Sequence, residues 1–540
     1  MRVLFTGGSV LTGTTGSPRI DAVGVQDGRI VALGDDARSW ASSSTNTIER
    51  VDLTGRCVVP GFRDGHVHPL SGGTELVSLS LAQSRSVEDV LAAVRAHASA
   101  HPGDPWIVGG SYSPTLLPGG VGDATVLDAV VPDRPVALYS ADHHVLWVNS
   151  AALDAAGISA STPEPALGTI VRHGDGSPIG TLLEWGAMEL VERVMPDPDP
   201  ALRRLGLAAG IDTLLAEGIV WAQDAAVDEG DLAVYAEAAR AGTLRCRING
   251  AFRSDPRRWV AQREQFRELR DGLRDDARVS GQLTARTVKF FADGVIEAGT
   301  GFLLEPYEDG DGCGLPNWSP AGLAEAVRAF DADGFQIHIH AIGDGGVRMA
   351  LDAIEHALQH NGRRDRRPVI AHTQLVDPAD RPRFASLGVI ANFEPLWSCL
   401  DPVMTDLTLP RLGPRRSMLQ YPVATIAGHG AAISFGSDWP VSSVRPLDGL
   451  AVAVTRQTPD GRPDGGWMPE ERLPIDQALQ AYTRGTAHQA FDDDAGRIAV
   501  GQRADLCVLS DDITAMSGGE LPGVMVDETW INGAATYRRS

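Results

Sequence analysis

Between residues 57 and 437, short apolar segments typical of β-strands alternate with amphipathic segments typical of helices. The strand candidates are 57–67, 135–141, 218–224, 286–292, 335–341, 367–373, 388–393 and 431–437. This alternation is typical of parallel strands joined by helical crossovers. Eight such units favour an α/β fold in which a (β/α)8 TIM barrel carries insertions, rather than an open sheet.

Two helix boundaries can be predicted from local signals. Ser86-x-x-Asp89 is a capping box, which predicts a helix that runs to about Ala100. Ser319-Pro320 predicts the start of another helix, and Gly334 predicts its end.

Both ends of the chain have a different pattern. Short apolar or alternating runs, separated by Gly and Asp turns, occur in the first sixty residues and again over 496–540. The two termini of a domain often lie close together. We therefore predict one small β-sandwich domain formed by 1–58 and 494–540, and a barrel domain over 59–493.

Composition narrows the class of protein. A chain of 540 residues is too long for one ordinary core, which fits two domains. The net charge of −23, without a clustered basic face, argues against nucleic acid and anionic membranes as partners and leaves a small-molecule substrate. No apolar run is long enough to span a membrane, and the N-terminus lacks a signal-peptide pattern. Five scattered cysteines without a CxxC motif favour reduced thiols and a cytoplasmic location.

The pair His66-x-His68 follows the apolar run that begins at Cys57. In a strand, residues i and i+2 point to the same side, so both imidazoles would face inward at the carboxyl end of the strand. Barrel enzymes place their catalytic groups at that end. Two imidazoles at this spacing suit a divalent metal such as zinc, although the pair alone is equally compatible with structural histidines.

Other polar residues occupy the same position in other predicted strands. They are His338 and His340, His372, Asp438 and Lys289. One such residue alone is more often part of a hydrogen-bonded core, but several at the ends of different strands indicate a site. By contrast, the helical pairs His97/His101 and His356/His360 lack the Glu of HExxH and are predicted to lie on solvated faces.

Lys289 is the single lysine among 47 basic residues. A lysine between Val288 and Phe290 in a buried strand should have a lowered pKa. A neutral amine can add carbon dioxide to form a carbamate, an anionic ligand able to bridge two metals, whereas arginine stays protonated. The structural alternative is an ion pair with Asp293.

Together these segments resemble the amidohydrolase superfamily, in particular its amidohydrolase-3 (YtcJ-like) branch. The similar motifs are Val59-Pro60-Gly61-Phe62-x-Asp64-x-His66-x-His68, segments 288–294, 340–344, 371–374 and 436–441, and Gly501-x-x-Ala504-Asp505-Leu506. The resemblance implies a site with one or two divalent metals per chain, with Zn²⁺ as the expected ion. It implies these ligands: His66, His68 and Asp438 for one metal, His340 and His372 for a second, and carboxylated Lys289 as the bridge.

In the same resemblance, Asp438 also accepts the proton of the attacking water, and His338 is left out because His340 lies closer to the strand end. The residues expected to face the substrate are His144, Asn149, Glu184 and Trp397. The implied activity is hydrolysis of a non-peptide C–N bond in an amide, formamide or cyclic amide, and a homodimer is the assembly that the family suggests. The alternatives are hydrolysis of esters, lactones or phosphoesters at the same site, or a non-catalytic scaffold, which should lack several ligands.

Overall fold

The structure is a computed structural model that describes residues 1–14, 16, 20–44 and 47–540. Its centre is a parallel sheet of eight strands that curves into a nearly closed barrel, with neighbours in chain order. We number these strands β1 (Phe62–Val67), β2 (Ile219–Val227), β3 (Arg247–Arg253), β4 (Leu283–Phe291), β5 (Gln336–Ala341), β6 (Val369–His372), β7 (Ile390–Phe393) and β8 (Ile433–Phe435). The predicted barrel is therefore confirmed.

The first and last strands meet through contacts at their carboxyl ends. The backbone N–H of Asp438 donates to the carbonyl of His66 at 2.7 Å. Asp64 accepts hydrogen bonds from the backbone N–H and the hydroxyl of Ser437, at 3.1 and 2.6 Å. These bonds hold the residues that follow β8 against the end of β1.

One predicted barrel strand was assigned to the wrong sheet, and one barrel strand was missed. Segment 135–141 does form a strand, but it belongs to a separate six-stranded sheet inserted between β1 and β2. The strands of this inserted sheet are Leu79–Ser80, Ile107–Tyr112, Val136–Ser140, Val145–Val148, Thr169–Arg172 and Pro178–Leu183. The missed strand is β3, whose sequence RINGAFR lacks the apolar run of its neighbours. Its Asn249 instead bonds to side chains of β2 and β4 inside the barrel.

Both ends of the chain contribute to one further sheet of eight strands. Its strands are Arg2–Val10, Ile20–Gln26, Arg29–Leu33, Glu49–Asp52, Cys57–Pro60, Leu506–Leu509, Val526–Ile531 and Ala534–Arg538. The two ends join where Cys57–Pro60 pairs antiparallel with Leu506–Leu509. The structure therefore brings the termini together in one sheet, whereas the sandwich form and the domain boundaries stay predictions.

The helices follow the predicted pattern where local signals were strong. Ser86 caps Val87–Ala100 by accepting from the backbone N–H of Asp89, and Ser319 caps Pro320–Ala332. The other α-helices are Gly34–Ser43, Pro69–Leu76, Ala124–Asp128, Ser150–Ala155, Glu184–Glu192, Pro200–Ala216, Glu229–Ala241, Trp259–Asp275, Asp344–Asn361, Arg381–Leu387, Leu409–Ser417, Val423–Gly428, Pro446–Thr455, Ile475–Gln480 and Thr486–Gln489. None of the helices in the described residues is long and apolar enough to cross a membrane.

Candidate metal centre

The carboxyl ends of five barrel strands bring together the six side chains named as ligands above. They are His66 and His68 from β1, Lys289 from β4, His340 from β5, His372 from β6 and Asp438 from the segment after β8. All except His68 are buried, and His68 is 21% exposed. The site therefore lies at the end of the barrel where enzymes of this fold place their chemistry.

Asp438 lies at the middle of the first group of ligands. Its Oδ1 is 3.1 Å from Nε2 of His68 and 3.5 Å from Nε2 of His66. Nζ of Lys289 lies 3.2 Å from the same nitrogen of His66. Two imidazole nitrogens, a carboxylate oxygen and the lysine amine thus meet at one point.

His340 and His372 form the second side of the centre. Their ring centroids are 4.6 Å apart, and the ring of His372 is also 4.6 Å from that of His66. Ligand atoms of His66, His372 and Asp438 lie within 4.8 Å of one another. This spacing suits a metal ion, so His372 lies within reach of the first group as well as of His340, the residue with which it is grouped for the second metal.

One side-chain contact supports a divalent metal, and the backbone of two residues marks a functional site. Oδ1 of Asp438 is buried and lies 3.1 Å from Nε2 of His68, but this contact does not have the geometry of a hydrogen bond, so the oxygen is costly to bury unless a cation satisfies it. In addition, His372 and Asp438 adopt left-handed backbone conformations, with φ of 72° and 52°. Such conformations are uncommon outside glycine and cluster at functional sites, where the surrounding structure enforces them.

The charges of the site act on one another because water is excluded. Burial raises the pKa of Asp438, but the close contact with His68 and the charge of its imidazole outweigh that effect, and the net pKa is lowered. Burial also lowers the pKa of Lys289, to about 7. A carboxylate and an amine that loses its proton readily are the forms that metal binding and carbamate formation require.

Two residues that the sequence did not single out orient His68. Oδ1 of Asp224, on β2, lies 3.5 Å from Nδ1 of His68. The hydroxyl of Tyr235 donates to the other carboxylate oxygen of Asp224 at 2.7 Å. A carboxylate behind a ligating imidazole fixes its tautomer and leaves the opposite nitrogen, here Nε2, for the metal.

His338, the histidine that was left out of the ligand set, contacts Nδ1 of His66. Nε2 of His338 lies 3.0 Å from Nδ1 of His66, and the amide of Gln223 lies 2.5 Å from Nδ1 of His338. Burial is the main reason that the pKa values of His66 and His338 are well below the ordinary value. His338 therefore contacts a ligand rather than the open part of the site.

Asp293 is not the ion-pair partner of Lys289. Its carboxylate instead accepts the backbone N–H groups of Ile342, Gly343 and Phe302, at distances of 3.1, 2.9 and 2.8 Å. These bonds tie the segment after β4 to the segment after β5. The structural alternative considered for Lys289 is thus not what the structure shows.

A cavity of about 1100 Å³ opens above the ligands. His144 and Trp397 line it, and the ring of Trp397 stacks on His372 with centroids 5.3 Å apart. Glu184 is buried behind His144 and accepts a hydrogen bond from its Nδ1 at 2.9 Å. Burial lowers the pKa of His144, but the charge of Glu184 outweighs that effect and raises it to about 9.

The sequence model of the amidohydrolase family matches residues 49–537. The chain belongs to the amidohydrolase family. It is 30% identical to the putative amidohydrolase YtcJ of Bacillus subtilis, over 100% of both chains. It is 28% identical to an N-substituted formamide deformylase of Arthrobacter pascens, over 96% of this chain and 95% of that protein. Among solved structures, a metal-dependent hydrolase of Pyrococcus horikoshii has the same fold, with a TM-score of 0.75, 22% identity and coverage of 96% and 99%.

In this amidohydrolase, Asn149, which was predicted to face the substrate, does not line the cavity. Its side-chain oxygen accepts the backbone N–H groups of Val136 and Ala152, and its amide donates to the carbonyls of Val131 and Arg134. All of its hydrogen-bonding groups are therefore used in capping helix Ser150–Ala155 and fastening the inserted sheet. Glu184 likewise lies outside the cavity lining and can act on a substrate only through His144.

The two helical histidine pairs lie away from the barrel end. His97 and His101 approach Asp104 on the surface, and His101 and Asp104 are exposed. His360 is exposed as well. These pairs do not contribute to the cavity of this amidohydrolase.

Proposed function

We propose that this amidohydrolase hydrolyses a non-peptide C–N bond in an amide, formamide or cyclic amide. The observation that carries the proposal is the convergence of all the predicted ligands around Oδ1 of Asp438, which lies 3.1 Å from Nε2 of His68 and 3.5 Å from Nε2 of His66. A scaffold that had lost catalysis would have no reason to keep several imidazoles, a lysine and a carboxylate buried together, because burying polar groups costs free energy.

The residues divide into two ligand groups. We assign one metal to His66, His68 and Asp438, a second to His340 and His372, and the bridge to carboxylated Lys289. A bound divalent metal, with Zn²⁺ as the expected ion, would lower the pKa of water to about 7 and polarise the scissile carbonyl. Carbamate formation joins Nζ of Lys289 to the carbon of carbon dioxide and releases one proton. The burial of Nζ beside His66 favours the neutral amine that this addition needs.

Side chains carry out the remaining steps of the proposed reaction. The carboxylate of Asp438 accepts a proton from the attacking water and then delivers it to the leaving nitrogen. His144 lines the cavity, and Glu184 occupies its Nδ1, so that Nε2 is left to donate a hydrogen bond to the substrate. Trp397 supplies an apolar wall next to His372.

A panel of N-formyl and N-acyl compounds, cyclic amides, esters, lactones and phosphoesters tests the proposal. We expect hydrolysis of a C–N substrate by the wild-type protein and a loss of at least about 1000-fold in kcat for Asp438→Asn, because a general base and a ligand are removed together. Asp331→Asn is a suitable control, since Asp331 is buried but pairs with Arg364 and Arg366 outside the site. Exclusive hydrolysis of esters, lactones or phosphoesters would overturn the proposed bond class.

A further inference from the structure

Arg253 presents an unpaired cation to the cavity. It is the last residue of β3 and stands next to Lys289 of β4 in the register of the barrel. Its side chain lines the cavity and is exposed, although its strand is otherwise buried. A charged side chain at this end of a barrel strand is in the position from which such folds contact substrates.

The guanidinium is held by aromatic rings alone. Its Cζ lies 3.6 Å from the ring centroid of Trp185 and 5.8 Å from that of Phe291. Within the part of the chain that the structure describes, it makes no side-chain hydrogen bond and no ion pair. Stacking on an aromatic ring fixes the plane of the guanidinium while leaving its N–H groups free at the edge.

The carboxylates whose charges act on Arg253 already have other partners. Glu192 accepts the hydroxyl of Tyr139 at 2.9 Å, while Asp255 and Glu189 both bind Arg257. No protein carboxylate of the described residues therefore occupies the donor edge of Arg253.

The two other arginines of the cavity wall differ in this respect. Arg203 pairs with Asp231, and Arg204 lies 3.7 Å from Glu237. Arg253 is thus the cavity arginine whose donors are available to a ligand. The lack of an ion-pair partner is therefore specific to Arg253 and is not shared by Arg203 and Arg204.

Phe291 connects Arg253 with the candidate metal centre. The centroid of its ring lies 4.6 Å from Nζ of Lys289 and 5.2 Å from the ring of His340. The guanidinium lies against the same ring. A small substrate with its scissile bond at the centre can therefore place a nearby substituent at Arg253.

We infer that Arg253 binds a carboxylate carried by the substrate, which makes N-acylated or N-formylated amino acids the substrate class. The inference rests on the proposed function for the bond that is cleaved. The two outer N–H groups of a guanidinium match the two oxygens of a carboxylate, and such a bidentate pair is stronger than a neutral hydrogen bond. Arg253 is accordingly a specificity-determining residue, and it does not contact the reacting atoms.

N-formylphenylalanine and N-formylphenethylamine test this inference, since the second compound lacks only the carboxylate of the first. We expect the wild-type enzyme to prefer the acid. In Arg253→Met, the ratio of the two kcat/KM values should fall about 100-fold, the size expected for a lost charge-assisted pair. Arg253→Lys should retain part of the preference, because it keeps the charge without the planar fork. Arg204→Met is the matched control: it removes a paired cation of the same cavity and should leave the ratio unchanged.

An equal loss on both compounds, or no preference in the wild-type enzyme, would overturn the inference while leaving C–N hydrolysis intact. If neither compound is hydrolysed, the proposed function fails for these formamides, and calorimetric affinities of the zinc-loaded protein for 3-phenylpropanoate and 3-phenylpropanamide decide the role of Arg253. Tighter binding of the acid that is lost in Arg253→Met supports the anchor. Tighter binding of the acid that survives in Arg253→Met assigns the preference to the metal and overturns it.

Discussion

Oε2 of Glu394 lies 2.9 Å from Nδ1 of His372, and both side chains are buried. Glu394 follows β7, and His372 ends β6, so the contact joins two neighbouring strands at the candidate centre. Nδ1 of His372 donates the hydrogen bond, which fixes the tautomer and leaves Nε2 to bind a metal. Asp224 lies in the same way behind His68, another of the predicted histidine ligands.

Replacement of Glu394 should therefore weaken metal binding without removing a ligand. We expect Glu394→Gln to lower the affinity for Zn²⁺ about 10- to 100-fold, the usual cost of losing a carboxylate behind a ligating histidine. Competition with a chromogenic chelator measures this affinity. Asp331→Asn also removes a buried carboxylate, but one outside the site, and it should leave the affinity unchanged. An unchanged affinity in Glu394→Gln would contradict the role given to this contact.

Replacement of Lys289 provides a second test, because it shows whether activity needs a positive charge at this position or a carbamate. We expect both Lys289→Arg and Lys289→Ala to lose most activity, since neither side chain can add carbon dioxide. A short carboxylic acid such as acetate should partly restore the Ala variant by supplying the missing oxygens. Full activity of Lys289→Arg would exclude the carbamate.

Arg247 and Asp505 form a buried bidentate ion pair between β3 and the terminal sheet, with both N–O distances 2.9 Å. Removal of one partner leaves a buried charge, so Asp505→Asn should destabilise the protein by about 3–5 kcal/mol. Denaturant unfolding measures this difference. Asp35→Asn is the control, because the Asp35 side chain is 99% exposed in its ion pair with Arg38, and it should change the unfolding midpoint little.

The ion pair of Arg247 and Asp505 should also make the stability of the protein depend on pH. Burial raises the pKa of Asp505, but the charge and hydrogen bonds of Arg247 outweigh this effect, and the net pKa lies below the ordinary value. Because the pKa is lower in the folded protein than in the unfolded chain, the ionised carboxylate stabilises the fold at pH values above the ordinary pKa of about 4. This stabilisation is lost as the pH falls through the folded-state pKa. The stability difference between wild type and Asp505→Asn should therefore narrow below about pH 4. A difference that grows in acid would contradict this sign.

The strands of the barrel could be predicted from the sequence where they contain a continuous apolar run, as in β2 and β6. β3 could not, because its inward Asn249 belongs to a polar network whose partners lie on other strands. The strand Val136–Ser140 has a similar local pattern to a barrel strand. Its place in the inserted sheet depends on pairing with Ile107–Tyr112 and Val145–Val148, which no local pattern reveals.

The residues of the candidate site likewise divide into those that the sequence could reveal and those that it could not. Candidate ligands such as His66 and Asp438 could be named because they lie at strand ends and belong to segments that resemble family motifs. Asp224 and Glu394 also follow this strand-end pattern, but single carboxylates carry no spacing signal of their own. Asn149 was predicted to face the substrate from the family resemblance, yet its amide is used entirely by the backbone. Arg253 was not singled out, since its importance lies in the absence of a partner, which is a property of the fold.

Two measurements together test the central claim most directly. They are elemental analysis of the metal content per chain and an assay for hydrolysis of a C–N substrate. We expect one or two equivalents of a divalent metal, loss of activity after removal of the metal by a chelator, and recovery when Zn²⁺ is returned. Two equivalents would support the binuclear centre bridged by Lys289, and one would support a mononuclear centre. Hydrolysis that persists unchanged in protein stripped of metal would contradict the account, as would purified protein that binds no divalent metal.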